Sequence, residues 1–319
     1  MPGRGLHHIT AVSANMSRNM AFYTGVLGLR LVKRTVAHED PGAHHLFYGG
    51  RTGAPGTLLS FFSWSGATAG LRGAGEAEQI DFSVGPDSLS WWEARLAAAS
   101  IGSRRERSSF GEDSLVLADP DGTPLALVAS SVPDDMRWEH PEIPAECRIH
   151  GVGGLILNVR SMPEMAAILV DVLGFSELAR AGGQVALAAH PNSGGRICLR
   201  EAGVKTRGRA GAGTVHHVAF RARDAFDQAR MAERLRSHFG IAVNPGKDRS
   251  YYQSIHFRGP DGTLIEIATD GPGFLIDEDL DVLGERLVLP AFLEPRRGEL
   301  EDLLPPLQGA PGDEEGEDP

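Results

Sequence analysis

Apolar and polar positions follow the same order four times along this chain of 319 residues. Each unit starts with a short run whose apolar positions alternate, as in a β-strand, and continues with a helical stretch and further strand-like runs. In the first unit these are a strand at 6–12, a helix at 20–27 and strands at 29–36, 45–49 and 57–62. Gly28 stands where a helix C-cap is expected. The unit therefore has the order βαβββ.

The other three units keep this order with small variations. The second unit has a strand at 78–84, a helix at 88–99 and two strands within 114–128. The third has a strand at 154–159, a helix at 163–173 and strands at 175–179, 184–188 and 195–200. The fourth has a strand at 215–221, a helix at 224–239 and two strands within 254–268. In the second and fourth units, the residues PDGT separate two apolar runs, at 120–123 and 260–263. Proline presets φ and glycine accepts positive φ, so these residues predict hairpin turns.

The patterns predict an α+β fold of four βαβββ modules in two tandem halves, an N-terminal domain at 5–130 and a C-terminal domain at 148–270. The segment 131–147 contains three prolines and has the composition of a linker. After it, the pattern ends at Gly271, and 271–308 form a partly helical extension. Residues 309–319 form an acidic tail that we expect to be disordered. The charged residues 104–107 are expected in a solvated loop.

Composition and charge restrict the functions that this fold could have. With 41% hydrophobic and 23% charged residues, the chain resembles globular proteins, and its net charge of −11 with no basic stripe argues against a nucleic-acid partner. No apolar run approaches the roughly 18 residues of a membrane span, and the N-terminus lacks an apolar signal stretch. Two distant cysteines are too few for a disulfide framework. We therefore expect a cytoplasmic protein without a membrane partner.

Residues that differ between equivalent positions of the repeats are candidates for chemistry. The first strands carry His8, Ile80, Gly154 and His217 at similar places, and Glu266 stands in the fourth unit where the second has Ala126. Histidines in strands are commonly structural, and a glutamate on an edge strand commonly faces solvent. However, a carboxylate flanked by apolar neighbours is costly to bury without a partner such as a metal ion. Two imidazoles and one carboxylate are the ligand set of mononuclear non-haem iron sites, and they also serve zinc and manganese.

Several longer segments carry a family resemblance. They are LHHIT at 6–10, FYTGVLGL at 22–29, DPG at 40–42, GTLLSFF at 56–62, VHHVAF at 215–220, DGTLIEIATD at 261–270, LP at 289–290 and LEPRR at 293–297. In this order, they make the chain resemble the vicinal oxygen chelate superfamily of glyoxalases, bleomycin-resistance proteins and extradiol dioxygenases. The similarity extends to about residue 307 and is closest to two-domain ring-cleaving dioxygenases that act on hydroquinones.

The resemblance implies curled mixed sheets around a metal site. In such relatives the second histidine of each His-His pair binds the metal, which points to His8 and His217, with Glu266 as the third ligand. The implied ion is Fe(II), with Mn(II) or another divalent metal as the alternative. His7 and His216 are then expected to support the ligands.

The resemblance also points to residues around the metal. Thr10 shares the strand face of His8, and Arg249 matches a substrate-pocket arginine. His256 stands where the hydroquinone enzymes have a tyrosine. An imidazole at this position is a candidate acid–base residue, and a structural histidine is the alternative. Four aromatic residues are candidates to line an apolar pocket: Phe47, Tyr48, Phe61 and Phe62.

The implied function is an Fe(II)-dependent, extradiol-type dioxygenase that cleaves the ring of a hydroquinone or catechol-like diol with O₂. One alternative is a metal-dependent lyase or isomerase of the glyoxalase or epimerase type. Such relatives commonly use a fourth protein ligand, and Gly154 and Ala126 provide none. Another alternative is a metal-free protein that binds small molecules for resistance. Because related proteins often pair, a homo-oligomer is also compatible with the resemblance.

Overall fold

The structure is a computed structural model and describes residues 4–131, 137–202 and 208–309. Its strands and helices follow the repeat. The first module has β1 Leu6–Ser13, α1 Met16–Met20, β2 Arg30–Val36, β3 His44–Gly49 and β4 Leu58–Ser63. The second has β5 Ala77–Val84, α2 Leu89–Ala98, β6 Ser103–Arg107, β7 Asp113–Ala118 and β8 Pro124–Ala129.

The second half of the chain repeats this order and then departs from it. The third module has β9 Gly151–Val159, α3 Met162–Asp171, β10 Ser176–Ala181, β11 Gln184–Ala188 and β12 Arg196–Glu201. The fourth has β13 Val215–Ala222, α4 Ala225–Phe239, β14 Lys247–Asp248, β15 Tyr252–Arg258 and β16 Leu264–Pro272. The extension contains three short 3₁₀ turns and α5 Arg297–Leu303. The α+β fold of four βαβββ modules is therefore confirmed. Most of the acidic tail lies outside the described residues.

The first helix differs from the expected stretch at 20–27. It begins at Met16 because the side chain of Asn15 accepts a hydrogen bond from the backbone of Arg18, which caps the helix. Beyond Met20 the backbone continues as a π-helical segment, Ala21–Val26. Gly28 has a φ of +67°, in the left-handed region that favours glycine at a helix C-terminus.

Two eight-stranded mixed sheets hold the modules together. The first has the strand order β14-β15-β16-β13-β1-β4-β3-β2, which joins the fourth module to the first. The second has the order β10-β11-β12-β9-β5-β8-β7-β6, which joins the third module to the second. The central pairs, β1 with β13 and β5 with β9, are antiparallel. Each sheet therefore combines one module from each half of the chain.

Strand register identifies which positions of the two sheets are equivalent. In the first sheet, Ala219 of β13 lies between His8 of β1 and Glu266 of β16. His217, two residues before Ala219, therefore lies on the same face of the sheet. Candidate ligands from three neighbouring strands thus converge at the centre of this sheet.

In the second sheet, Asp81 holds the corresponding central position, between Gly154 of β9 and Ala126 of β8. The residue two positions before it is Gln79. Gln79, and not Ile80, is therefore the counterpart of the fourth-module histidine. The sequence comparison was wrong by one residue here, because Ile80 lies on the opposite face and is buried in the hydrophobic core.

The charged segment 104–107 is not a loop, as expected from the sequence, but part of β6. This strand forms one edge of the second sheet, and each of its residues is exposed or half-buried. Charged side chains are a common feature of edge strands, because they oppose pairing with another chain. Among the described residues, no helix is long and apolar enough to cross a membrane.

Candidate functional site

Four adjacent strands of the first sheet contribute polar side chains to one buried site. In sheet order β15-β16-β13-β1, these strands carry His256, Glu266, His217 and His8, and β1 also carries Thr10. All five belong to the set predicted from the sequence. The structure brings them together because β1 and β13, from the first and fourth modules, pair at the centre of the sheet.

His8, His217 and Glu266 have the spacing of ligands around a single ion. The two Nε2 atoms lie 3.1 Å apart, and the carboxylate oxygens lie 3.7 Å from Nε2 of His8 and 3.6 Å from Nε2 of His217. Metal–ligand bonds of about 2.0–2.2 Å separate neighbouring ligand atoms at right angles by roughly 3 Å. These three side chains form a group that could hold a metal ion.

Burial keeps these imidazoles neutral. It lowers the pKa of His8 well below its usual value, with a further contribution from neighbouring His7. It lowers the pKa of His217 well below its usual value too, and His8 adds to that effect. A neutral imidazole has a free lone pair for a cation. Glu266 is 1% exposed, and its Oε1 has no hydrogen-bond partner among the described residues. A bound cation would satisfy this oxygen.

His7 fixes the tautomer of His8. Nε2 of His7 lies 3.1 Å from the carbonyl oxygen of Thr269, so this nitrogen carries the proton and donates it. Burial lowers the pKa of His7 to about 4, which leaves its Nδ1 as an acceptor. The Nδ1 atoms of His7 and His8 are 2.9 Å apart, so His8 donates from Nδ1. The lone pair of His8 is then on Nε2, facing the other two ligand candidates.

His217 is supported from two sides. Its Nδ1 lies 2.8 Å from Nδ1 of His216, the same relation that His7 has to His8. Its Nε2 lies 3.1 Å from Oγ1 of Thr10, which also lies 2.8 Å from Oγ of Ser60. In both His-His pairs, Nδ1 of the first histidine therefore contacts Nδ1 of the second, which is the candidate ligand.

His256 contacts the carboxylate directly. Its Nε2 lies 2.7 Å from Oε2 of Glu266, within hydrogen-bond distance. The ring of His256 lies 5.8 Å from that of His217, and its side chain is 12% exposed. His256 thus lies at the border between the buried cluster and the adjoining surface, where a proton carrier can contact both.

Arg249 reaches the site from the turn between β14 and β15. Its Nη1 donates to Oε1 of Glu39 over 2.7 Å, and Nζ of Lys247 donates to the same oxygen over 2.8 Å. Partial burial would raise the pKa of Glu39, but the hydrogen bonds from Lys247 and Arg249 outweigh it and lower that pKa to about 2. Sequence reasoning missed Glu39, because a single carboxylate in a polar loop gives no distinctive signal.

A cavity of ≈ 20 Å³ adjoins the cluster. It is lined by Thr35, His38, Glu39, His45, Phe47, Phe62, His217, Arg249, Tyr251, Tyr252 and Glu266. Of the aromatic residues predicted to line a pocket, Phe47 and Phe62 do so. Tyr48 and Phe61 instead pack in the main hydrophobic core, where Tyr48 stacks on Tyr23. Strand alternation places neighbouring residues on opposite faces, which separates the two pairs.

Comparison with known proteins identifies the family. The family model described as the Glyoxalase/Bleomycin resistance protein/Dioxygenase superfamily matches residues 5–74 and 149–267. The chain belongs to this superfamily. The resemblance found in the sequence is thus confirmed, and the matched residues include all three ligand candidates.

Relatives within this superfamily match the chain over most of its length. It is 38% identical over 305 residues to "Putative ring-cleaving dioxygenase MhqO" of Bacillus subtilis, covering 95% of this chain and 96% of the relative. It is 28% identical to the chlorohydroquinone/hydroquinone 1,2-dioxygenase of Sphingobium indicum, covering 93% and 94%. The crystal structure of a "putative dioxygenase" from Bacillus subtilis superposes with a TM-score of 0.92 at 37% identity, covering 96% and 98%.

Proposed function

We propose that this protein is an Fe(II)-dependent, extradiol-type dioxygenase that uses O₂ to cleave the ring of a hydroquinone or catechol-like aromatic diol. The observation that carries the proposal is the buried cluster of two neutral histidines and one carboxylate beside an aromatic-lined cavity. The names of the relatives support the reaction class, and that of the Sphingobium indicum enzyme supports a hydroquinone as substrate.

The donor set fits Fe(II). His8, His217 and Glu266 are the two-histidine, one-carboxylate set that non-haem iron enzymes use, and it leaves positions open for substrate and O₂. When bound, Fe(II) would lower the pKa of a coordinated hydroxyl and allow electron transfer from the diol to O₂. His7 and His216 would hold the ligand rings in the tautomer that presents Nε2.

The remaining residues would orient the diol and handle its protons. Phe47 and Phe62 line the cavity and would contact the faces of an aromatic ring while excluding water. His256, whose Nε2 lies 2.7 Å from the carboxylate, would accept a hydroxyl proton at its other ring nitrogen, Nδ1, when the diol binds. Arg249 would stabilise the negative charge that develops on the substrate oxygens.

The position of cleavage follows from the chemistry of a para-diol. In hydroquinone, a 1,2 cleavage cuts the bond between a hydroxylated carbon and its unsubstituted neighbour. We propose that this chain cuts its diol beside a hydroxylated carbon in the same manner. The ring-opened product, identified by mass spectrometry after incubation with ¹⁸O₂, should contain two labelled oxygen atoms.

The metal assignment is tested with His8→Ala. Removing one of three ligands should reduce the iron content of anaerobically reconstituted protein and abolish oxygen uptake with hydroquinone. His238→Ala, which changes an exposed histidine at the end of α4, is the matched control and should keep both. Full iron content and turnover in His8→Ala would contradict the assignment.

The reaction class is tested by oxygen uptake with a panel of hydroquinones and catechols. We expect iron-dependent uptake with at least one of them. Metal-dependent conversion of a glyoxalase or epimerase substrate without oxygen uptake would instead indicate a lyase or isomerase. Tight binding of an aromatic compound by metal-free protein, without turnover in either form, would indicate a binding protein.

A further inference from the structure

The cavity beside the metal-binding cluster is too small for an aromatic diol. Its volume of ≈ 20 Å³ holds one or two water molecules, because a water needs at least about 10–15 Å³. A protein cavity that takes up benzene measures about 150 Å³. Some of the lining residues must therefore move before a ring can bind.

The lining residues differ in how firmly the fold holds them. Phe47, His217 and Glu266 lie within strands of the sheet and are buried. In contrast, Glu39 lies in the loop between β2 and β3, and Arg249 lies in the turn between β14 and β15. The loop and the turn are thus the part of the wall that can open without breaking a strand.

These two segments come from opposite edges of the same sheet. β2 and β14 are the first and last strands in its order, with six strands between them. Glu39 nevertheless bonds both Lys247 and Arg249, so the sheet curls until its edges meet. Ser250, at the tip of the turn, has a φ of +68°, which is uncommon for a residue other than glycine. Val32 of β2 also packs in one hydrophobic cluster with Tyr251, and Lys33 lies 5.0 Å from the centre of that ring, so the ion pairs of Glu39 are the exposed part of the contact between the edges.

We propose that Glu39, Lys247 and Arg249 form an electrostatic latch that closes the metal cleft until an aromatic ligand displaces it. In the closed state, the carboxylate of Glu39 binds the guanidinium of Arg249, which is then not available to a ligand. Opening separates the β2–β3 loop from the β14–β15 turn, which enlarges the cavity and frees Arg249 to face an oxygen of the ligand. Glu39 is then a positioning residue that acts through Arg249. The nature of the ligand rests on the proposed function, whereas the latch itself does not.

The first test needs no ligand. Fe(II)-loaded protein is digested briefly with trypsin, and cleavage after Arg249 is followed by mass spectrometry. Glu39→Gln keeps the size of the side chain and removes its charge, so cleavage there should be about 3- to 10-fold faster, as expected for the loss of two partly exposed ion pairs. Glu93→Gln, which breaks the exposed pair with Arg105 in the second module, is the matched control and should cleave at the wild-type rate.

The second test measures ligand binding without turnover. Hydroquinone is titrated into Fe(II)-loaded protein in the absence of O₂, and the dissociation constant is measured by calorimetry. Glu39→Gln should bind about 3- to 10-fold more tightly, because binding no longer requires the ion pairs to open. Raising the salt concentration from about 0.05 M to about 0.5 M should tighten binding to the wild type, because salt screens the latch. The same change should have little effect on Glu39→Gln, since hydroquinone is uncharged at neutral pH.

The outcomes separate the latch from the proposed function. Unchanged cleavage after Arg249 in Glu39→Gln overturns the latch. Faster cleavage combined with weaker hydroquinone binding also overturns it, since Glu39 would then hold Arg249 in its ligand-bound position. If hydroquinone binds to neither protein, hydroquinone is excluded as the substrate, and the cleavage rates alone decide whether the latch exists.

Discussion

Glu266 has two oxygens in different surroundings. Oε2 lies 2.7 Å from Nε2 of His256, whereas Oε1 has no hydrogen-bond partner among the described residues, although the side chain is buried. A buried carboxylate oxygen without a partner costs about 1–3 kcal/mol or more. This unpartnered oxygen lies beside His8 and His217, two neutral histidines whose lone pairs are available to a cation. The residue is therefore better suited to binding a cation than to stabilising the fold.

His7 offers a test of the tautomer argument. His7→Leu removes the acceptor for Nδ1 of His8, so His8 is free to carry its proton on Nε2. We expect the affinity for iron to fall about 10- to 100-fold, as is typical when such a supporting residue is lost. Affinity is measured by competition with a chelator, and His238→Leu is the control at an exposed histidine. Equal affinity in His7→Leu and the wild type would show that His7 does not set the tautomer.

The candidate ligands could be predicted because the repeats supply an internal comparison. Glu266 stands out against Ala126, and His8 against Gly154. The partners of these residues could not be predicted in the same way. Glu39 meets Arg249 only because the sheet curls, and nothing in their sequence separation of 210 residues indicates a contact. Contacts made by loop residues depend on the curvature of the whole sheet.

At the scale of elements, the second sheet also has polar residues at its centre, but it has none of the candidate metal ligands of the first. Asp81 occupies this centre, and Nε2 of Gln79 donates to its Oδ1 over 2.7 Å. Burial raises the pKa of Asp81 to about 6. The charged carboxylate is thus a destabilising feature of this sheet at neutral pH.

Asp81→Asn should stabilise the protein at pH 7, by about 1–2 kcal/mol after allowance for partial exposure. The pKa of Asp81 is raised to about 6 in the folded state from an ordinary value of 3.8. The folded state therefore binds more protons between these values, and wild-type stability decreases as the pH rises through this window. Urea unfolding of both proteins should show a difference at pH 7 that disappears below pH 4. A difference that persists at low pH would contradict a charge effect.

Element boundaries show where the sequence patterns were insufficient. The one-residue error at Ile80 arose because apolar runs define a strand but not its register, which the pairing of β5 with β9 determines. β6 was missed because four consecutive charged residues are typical of loops. On an edge strand the same residues are favourable, but whether a strand lies at an edge depends on the assembled sheet.

At the scale of the whole molecule, the extension is fastened to the first sheet by a buried cation. Lys33 of β2 is fully buried, and its Nζ donates to Oδ1 of Asp277 over 2.6 Å and to Glu278. The ammonium also lies 5.0 Å from the ring centre of Tyr251, which lines the cavity. A cluster of leucines holds the rest of the extension against Val36. The extension thus supports the wall of the site from outside.

Lys33→Met should destabilise the protein by about 3–5 kcal/mol, because it leaves Glu278 buried with only the exposed Arg286, 3.7 Å away, as a cation. Lys33→Met with Glu278→Leu should recover most of this loss, since no unpaired charge then remains buried. Urea unfolding of the single and double variants measures both effects. A double variant no more stable than Lys33→Met would show that packing, and not charge, fastens the extension.

The association of modules was the part of the fold that the sequence did not reveal. The repeats predicted four modules in their order, and their adjacency suggested two halves. Strand pairing joins the first module to the fourth and the second to the third, so each sheet takes one module from each half. Hydrophobic patterns specify which face of a module is buried. Because the four modules have similar apolar faces, these patterns do not determine which two modules pair.

This pairing of modules has a consequence during protein synthesis. His8 emerges from the ribosome early, whereas Glu266 follows after most of the chain has been made. At ~5–20 residues per second, roughly 13 to 52 seconds separate the two. A nascent chain therefore carries the His7–His8 pair through most of translation without Glu266, and the cluster of three candidate ligands forms only after the fourth module has folded against the first. Only the finished protein can therefore offer all three candidate ligands to a metal ion.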